Sequence, residues 1–314
     1  MGKIIQKSEL NDFLNTLTND YELIAPIKTD IVRYDIVEDP DDINLTEMPY
    51  YSFKKYLQPS EFKIADIKDG ALTSVCDFPK RVIFGARLCD LSSVIMNDKL
   101  FLEEPADPYY KCMRENTIFI GIHCSDEMKD EYCFCDRVNI TNCYDLYFYD
   151  LGDAYYIDVG SQKGETLVKN LKKYDYTIPF RTSKKNLADV NISEKFDDPI
   201  WDSTDANAIC LGCGTCTIMC PTCLCFSIKD DINLDLATGA RKITWDSCQL
   251  EDFTKVAGNE VFREPRLKRF KHRIYHKIQY FKDKYAIPFC TGCGRCMRYC
   301  PTKIRYIDLV DALQ

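Results

Sequence analysis

The chain of 314 residues lacks most of the signals that identify a self-sufficient enzyme. It has only three histidines, His123, His272 and His276, and no spacing in the sequence identifies a nucleophile with its base or a pair of carboxylates. No G-x-G-x-x-G segment follows a predicted strand, and there is no Walker A loop, so we expect no flavin, NAD or nucleotide site. These absences argue against a hydrolase and against a nucleotide-dependent enzyme.

Long apolar runs and a basic charge balance are also missing. No apolar stretch approaches the length of a membrane span, and the N-terminal residues have no signal-peptide core, so we expect no membrane association. The net charge of −8 argues against a nucleic-acid partner. Without a signal, 18 cysteines favour a reducing cytoplasm over a secreted disulfide scaffold.

Cysteine is abundant, and eight of the 18 fall into two copies of the pattern C-x2-C-x2-C-x3-C-P. The copies are Cys210-Leu-Gly-Cys213-Gly-Thr-Cys216-Thr-Ile-Met-Cys220-Pro221 and Cys290-Thr-Gly-Cys293-Gly-Arg-Cys296-Met-Arg-Tyr-Cys300-Pro301. Bacterial ferredoxins use this spacing, with three thiolates on one [4Fe-4S] cluster and the fourth on the other. The sequence therefore predicts two clusters with crossed ligands: Cys210, Cys213, Cys216 and Cys300 on one, and Cys290, Cys293, Cys296 and Cys220 on the other.

Zinc is the alternative metal for such cysteines. A zinc ribbon uses paired C-x-x-C units, however, and would leave the third and fourth cysteines of each run unexplained. Exposed iron–sulfur clusters also favour an anaerobic setting.

The patterns predict an α+β protein of two domains. Residues 1–195 are expected to form an α/β domain with a mixed sheet, because the apolar runs at 80–89 and 116–124 are typical of buried parallel strands. Further strands are expected at 145–151 and 154–159, and a polar linker at 184–200. Residues 196–314 are expected to form a helical, bacterial-ferredoxin-like 2[4Fe-4S] domain. Its long insert ends in a helix at 264–285.

A third metal site is predicted in the N-terminal domain. Cys89 and Cys124 each close a predicted strand, and the loop after the second strand supplies Cys133-Phe-Cys135. Ligand sites of open α/β sheets form at the carboxyl ends of the strands, so four thiols can converge there on a further [4Fe-4S] cluster. Two alternatives remain open: a zinc site, or ordinary buried thiols. Other cysteines are possible substitutes as ligands: Cys143, Cys223, Cys225 and Cys248. We expect Cys76 and Cys112 to be ordinary thiols.

A markedly basic stretch runs through residues 263–284. Two interpretations are equally open. The cations compensate anionic clusters or dock an acidic partner, or they form a solvated face that balances an acidic protein.

These motifs together resemble a known family, which comprises the iron–sulfur subunits of anaerobic sulfite reductases and the β subunits of NiFe sulfhydrogenases. The resemblance extends over most of the chain and rests on specific elements around the ferredoxin runs: Gly85-Ala-Arg-Leu-Cys89-Asp90-Leu91, Asp107-Pro-Tyr-Tyr, His123-Cys124, Cys133-Phe-Cys135, Thr141-Asn-Cys143-Tyr-Asp, Cys220-Pro-Thr-Cys223-Leu-Cys225 and Trp245-Asp-Ser-Cys248.

The resemblance implies a non-catalytic electron-transfer protein within an oxidoreductase complex. Such a protein relays electrons between a catalytic subunit of the sulfite reductase or NiFe hydrogenase type and a flavin-containing NAD(P)H reductase subunit. The resemblance also strengthens the expectation of a third cluster. The competing hypothesis is a catalytic or redox-sensing protein that acts through iron–sulfur or zinc sites at its N-terminal cysteines.

Overall fold

The computed structural model describes residues 2–74, 77–138, 143–178 and 186–314. Within them, the strands are β1 Gly2–Gln6, β2 Glu22–Lys28, β3 Val32–Ile36, β4 Glu61–Lys68, β5 Ala71–Ser74, β6 Arg81–Ala86, β7 Thr117–Ile122, β8 Leu146–Asp150, β9 Ala154–Val159, β10 Lys172–Tyr174, β11 Phe226–Ile232 and β12 Thr238–Trp245. The α-helices are α1 Leu10–Leu17, α2 Leu88–Phe101, α3 Pro108–Glu115, α4 Gln162–Leu167, α5 Asp205–Ile209, α6 Thr215–Ile218, α7 Arg266–Tyr275, α8 Phe281–Tyr285, α9 Arg295–Arg298 and α10 Tyr306–Ala312. None of the described helices is both long and apolar enough to cross a membrane.

The chain divides into two compact units, each of which contains one sheet. The first unit comprises Met1–Gln58, Asp77–Glu131 and Ile140–Thr182. Its sheet has the strand order β10-β1-β9-β8-β7-β6-β2-β3. The central pairs β2–β6, β6–β7 and β7–β8 are parallel, and the outer pairs are antiparallel. The predicted mixed sheet is therefore confirmed.

The middle strands of this sheet are buried on both faces, as their continuous apolar sequence predicts. Ile83 and Phe119 are register partners on β6 and β7 and pack in one core cluster, while Phe84 and Ile120 pack in the other. The strand expected at 80–89 ends at Ala86, however. Cys89 lies in the first turn of α2, because Arg87 has extended backbone angles and forms the N-cap of that helix.

The second unit comprises Pro59–Cys76, Tyr132–Asn139 and Ser183–Gln314. Its sheet has the order β11-β12-β4-β5, and all pairs are antiparallel. This division differs from a single boundary at residue 195 because β4 pairs with β12, 170 or more positions further along the chain. The hairpin of β4 and β5 therefore belongs with the C-terminal part. That part was expected to be helical, but it also contains this sheet.

A long helical segment precedes the second cysteine run, as predicted. Helix α7 continues through a π-helical turn, His276–Tyr280, directly into α8. Its apolar face is buried: Phe270, Ile274, Ile278 and Phe281 are each at most 6% exposed. The helix begins at Arg266, two residues later than expected, because Pro265 forms its N-cap with extended backbone angles.

Two further segments contain short stretches of helix. Asp107-Pro-Tyr-Tyr is the start of α3, since the Asp107 carboxylate caps the helix by accepting a hydrogen bond of 2.7 Å from the Tyr110 N–H. The predicted linker at 184–200 contains short 3-10 turns from Leu187 onward, and three of its apolar side chains are buried: Leu187, Val190 and Ile192. Residues 184 and 185 lie outside the described residues, as do Cys76, Thr141 and Asn142.

Candidate metal centres

The two cysteine runs adopt the same local backbone in the second unit. In each run the two glycines have left-handed angles: φ is 66° at Gly212, 78° at Gly214, 69° at Gly292 and 72° at Gly294. The second glycine of each run is the N-cap residue of a short helix, α6 in the first run and α9 in the second. Since left-handed angles favour glycine, the G-Cys-G spacing is what allows each run to fold tightly.

The structure gathers the eight cysteines around two cavities. Cys210, Cys213, Cys216 and Cys300 all line the first cavity. Cys220, Cys290, Cys293 and Cys296 all line the second. Each cavity therefore has three thiols from one run and the last cysteine of the other run, and Cys296 also reaches the first cavity.

The chemistry of the cavity walls fits an iron–sulfur cluster. Among the residues that the structure describes, neither wall carries a carboxylate or an imidazole, so thiols are the soft ligands available there. Among the described residues, no three His, Cys, Asp or Glu side chains form a group that could hold a single metal ion. A [4Fe-4S] cluster takes four thiolate ligands, and each wall offers at least that many thiols.

Several of these thiols are too buried to ionise alone. Burial raises the pKa of Cys216 to about 11, although the charge of Arg273 opposes this shift. Burial likewise raises the pKa of Cys296 well above its usual range, against the same guanidinium. Because a metal ligand must be a thiolate, binding there must replace the proton by another positive charge, which a metal centre supplies.

Hydroxyl groups lie close to the last cysteine of each run. The sequence Cys-Pro-Thr occurs in both, and the Thr Oγ1 lies 3.3 Å from Sγ in the pair Cys220–Thr222 and 3.4 Å in the pair Cys300–Thr302. The Tyr306 hydroxyl lies 2.9 Å from the Sγ of Cys290. Such hydrogen bonds to sulfur are among the features by which proteins set the potential of a cluster.

A loop from the N-terminal half closes over the second run. The backbone N–H of Phe134 donates a hydrogen bond of 2.9 Å to the Gly292 carbonyl oxygen. A Cβ atom at Gly292 would stand 2.6 Å from Cys135, and one at Gly294 would collide with the Tyr132 carbonyl oxygen. This loop is the Cys133-Phe-Cys135 motif, so both of its cysteines belong to the second unit.

Two buried cations of the long helical segment line both cavities. Arg273 donates hydrogen bonds from Nη1 to the Cys223 Sγ (3.2 Å) and from Nη2 to the Cys216 carbonyl oxygen (2.7 Å). Lys277, 3% exposed, donates one of 2.8 Å to the Thr222 hydroxyl and lies 4.2 Å from the centre of the Phe289 ring. Burial opposes the charge of Lys277, but Cys220 and Cys223 outweigh it and raise its pKa.

The basic stretch therefore contains both buried cations beside the cavities and cations on a solvated face, the two possibilities that the sequence left open. Lys268 is on the solvated face, whereas Arg269, Arg273 and Lys277 are buried at a spacing of four residues. That spacing was the only sequence signal for Arg273 and Lys277. The repeat of Cys-Pro-Thr at the end of both runs is a signal for Thr222. Tyr306 had no signal, because its role depends on which segments meet.

The four cysteines of the predicted third centre are divided between the two units. Cys89, which is buried, and Cys124 belong to the first unit, whose strands β6 and β7 are parallel neighbours as predicted. Cys133 and Cys135 belong to the second, where Arg298 Nη2 lies 3.5 Å from the Sγ of Cys133. A third cluster held by these four thiols stays a prediction.

Comparisons with known proteins agree with the chemistry of this site. A family model described as a 4Fe-4S dicluster domain matches residues 209–304, which include both cysteine runs. Sulfhydrogenase 2 subunit beta of Pyrococcus furiosus is 32% identical to the chain, over 96% of this chain and 95% of that protein. The chain belongs to the sulfhydrogenase β-subunit family. No solved structure matches it. The family members are iron–sulfur subunits of oxidoreductase complexes, as the sequence predicted.

Proposed function

We propose that the chain is a non-catalytic electron-transfer subunit that relays electrons through two [4Fe-4S] clusters with crossed ligands. The observation that carries this proposal is the pair of cavities, each lined by three cysteines of one run and the last cysteine of the other. When bound, a [4Fe-4S] cluster accepts and releases one electron, and no substrate is converted in that step. This function needs no further catalytic group from the chain.

The residues shared by both walls support transfer between neighbouring sites. Arg273, Lys277, Cys296 and Tyr306 line both cavities, so the two sites adjoin each other. The two cations place positive charge beside both sites, which favours their reduced, more negative states. Cys213 is exposed whereas Cys290 and Cys293 are buried, so electrons enter or leave the chain at the site of Cys213.

The partners follow from the family. We propose a flavin-containing NAD(P)H reductase subunit on one side and a catalytic redox subunit of the hydrogenase or sulfite reductase type on the other. The third cluster predicted for Cys89, Cys124, Cys133 and Cys135 belongs to the same cytoplasmic relay.

Anaerobic purification of the full chain tests the proposal. Two clusters give about eight irons per chain and three give about twelve, and a potentiometric titration followed by EPR should resolve one-electron signals. The isolated chain should carry no flavin and should not oxidise NADPH. Reduction of its clusters by NADPH should require an added flavoprotein reductase.

Two results would contradict the relay. Zinc in place of iron would remove the redox centres altogether. Turnover of NADPH by the isolated chain, with flavin bound, would make it an enzyme in its own right.

A further inference from the structure

Two cysteines of the second unit lie outside both cavity walls, at the open end of the hairpin of β11 and β12. Cys225 directly precedes β11, and Cys248 follows shortly after β12. The last ladder pair is Phe226 with Trp245, and the Asp246 N–H donates a further hydrogen bond of 2.9 Å to the Cys225 carbonyl oxygen. The backbone therefore holds the two ends of the hairpin, and with them the two cysteines, close together.

The two thiols at the base of the hairpin act on each other's pKa. Cys248 raises the pKa of Cys225, and burial adds to the shift. Cys225 in turn lowers the pKa of Cys248 to about 5, with further help from Arg273 and from the Gln249 amide, whose Nε2 lies 3.5 Å from Sγ. A thiolate beside a thiol is the arrangement of reactive dithiols. Cys248 is buried, whereas Cys225 is half-buried, so solvent molecules reach the pair at Cys225.

We infer that Cys225 and Cys248 form a redox-active dithiol that exchanges with a small disulfide and becomes an intrachain disulfide across the base of the hairpin. In the exchange the S–S bond of the small disulfide breaks, and an Sγ–Sγ bond forms between the two cysteines. The Cys248 thiolate attacks first and Cys225 then loses its proton, so one of the two released small thiols takes that proton and the other takes one from the solvent. The chain loses two electrons, and the small disulfide gains them.

The dithiol adjoins the first cavity. Gln249 contributes to the wall of that cavity and donates a hydrogen bond of 3.0 Å to the Arg269 carbonyl oxygen. Arg273 acts electrostatically on Cys248 and also on Cys216 of the wall. A two-electron couple therefore lies beside the site proposed for a one-electron centre. The inference goes beyond the relay and does not depend on it, because no iron takes part in the exchange.

The test uses the full-length, iron-loaded protein in anaerobic buffers of reduced and oxidised glutathione. Free thiols are trapped with iodoacetamide at each ratio, and peptides are analysed by mass spectrometry. We expect a cross-linked peptide of Cys225 and Cys248 to appear in one transition. The position of this transition depends on the ratio [GSH]²/[GSSG], where GSH and GSSG are reduced and oxidised glutathione. The iron content should stay constant through the transition.

Three variants serve as controls. Cys225→Ser and Cys248→Ser should each abolish the cross-link, and the remaining cysteine should take up one glutathione. Cys112→Ser removes a half-buried thiol of α3 in the first unit and should leave the transition unchanged.

Two outcomes would overturn the inference. The first is that both cysteines of the unmodified protein stay free, or carry glutathione without a cross-link, in oxidised glutathione alone. The second is that the double variant C225S/C248S loses about four irons per chain, which would make the pair cluster ligands. The first measurement needs no variant, so a misfolded variant cannot decide the question.

Discussion

Lys277 donates a hydrogen bond of 2.8 Å to the hydroxyl of Thr222, which in turn donates one of 2.8 Å to the Phe289 carbonyl oxygen. Thr222 follows the last cysteine of the first run, and Phe289 precedes the first cysteine of the second. A single buried ammonium group therefore stands at the point where the two runs are joined. Its charge acts on the sulfur atoms of both.

Replacing Lys277 by Gln should lower the reduction potentials of the centres in both cavities. A cation stabilises the reduced cluster, so its loss favours the oxidised form. We expect the ratio of oxidised to reduced centres at a fixed ambient potential to rise about tenfold, which is about 59 mV for one electron. EPR-monitored titration measures this, with Lys268→Gln on the solvated side of the same helix as the control. Equal potentials in the two variants would remove the proposed role of Lys277.

The crossed ligand sets predict which cysteine variants behave alike. Cys300→Ser should change the EPR spectrum in the same way as Cys210→Ser, because both thiols line the first cavity. Cys220→Ser should match Cys290→Ser at the second cavity. If Cys300→Ser instead matched Cys290→Ser, each run would hold its own cluster and the crossing would be wrong.

Gly294→Ala should destabilise the protein by at least about 2 kcal/mol more than Gly258→Ala. Both glycines have left-handed backbone angles, so the strain of an alanine, about 1 kcal/mol, is common to both variants. A Cβ at Gly258 meets open space, whereas one at Gly294 collides with the Tyr132 carbonyl oxygen. Chemical denaturation of the two variants gives the difference. Iron loss at the second cavity should accompany the Gly294 variant, and equal stabilities would show that the loop yields freely.

The predicted third cluster is best tested in the full chain by Cys124→Ser. A fragment ending near residue 195 would contain β4 but lack its partner β12, so its failure to fold would decide nothing. If Cys124 is a ligand, the variant should lose about four irons per chain and keep the signals of both cysteine runs. Cys112→Ser is the matched control. Unchanged iron content would leave Cys124 as an ordinary half-buried thiol.

The sequence could predict those features that depend on neighbouring residues. The apolar runs predicted β6 and β7, the strands expected at 145–151 and 154–159 are β8 and β9, and helical periodicity predicted the segment from Arg266 to Tyr285. The cysteine spacing predicted the two groups of cysteines that line the cavities. Each of these signals lies within one element or one motif.

Features that depend on distant partners were missed. The strands β4 and β5 expose much of their surface and carry no clear alternation, so their sheet is visible only once β12 is known to pair with β4. The loop of Cys133 and Cys135 was expected beside Cys89 and Cys124 because it follows β7, and a cluster held by these four thiols stays a prediction. The hydrogen bond from Phe134 to Gly292 could not be foreseen, since a short loop can belong to a unit that is formed much later in the chain.

The pairing of β4 with β12 also sets the order in which segments can fold during synthesis. The ribosome releases the chain from its N-terminus, so every segment of the first unit is available before β12 exists. The hairpin of β4 and β5 must wait, with an unpaired edge, until the residues up to Trp245 have emerged. Nascent chains stopped before that point should therefore bind chaperones through residues 61–74, and release should coincide with the emergence of β12.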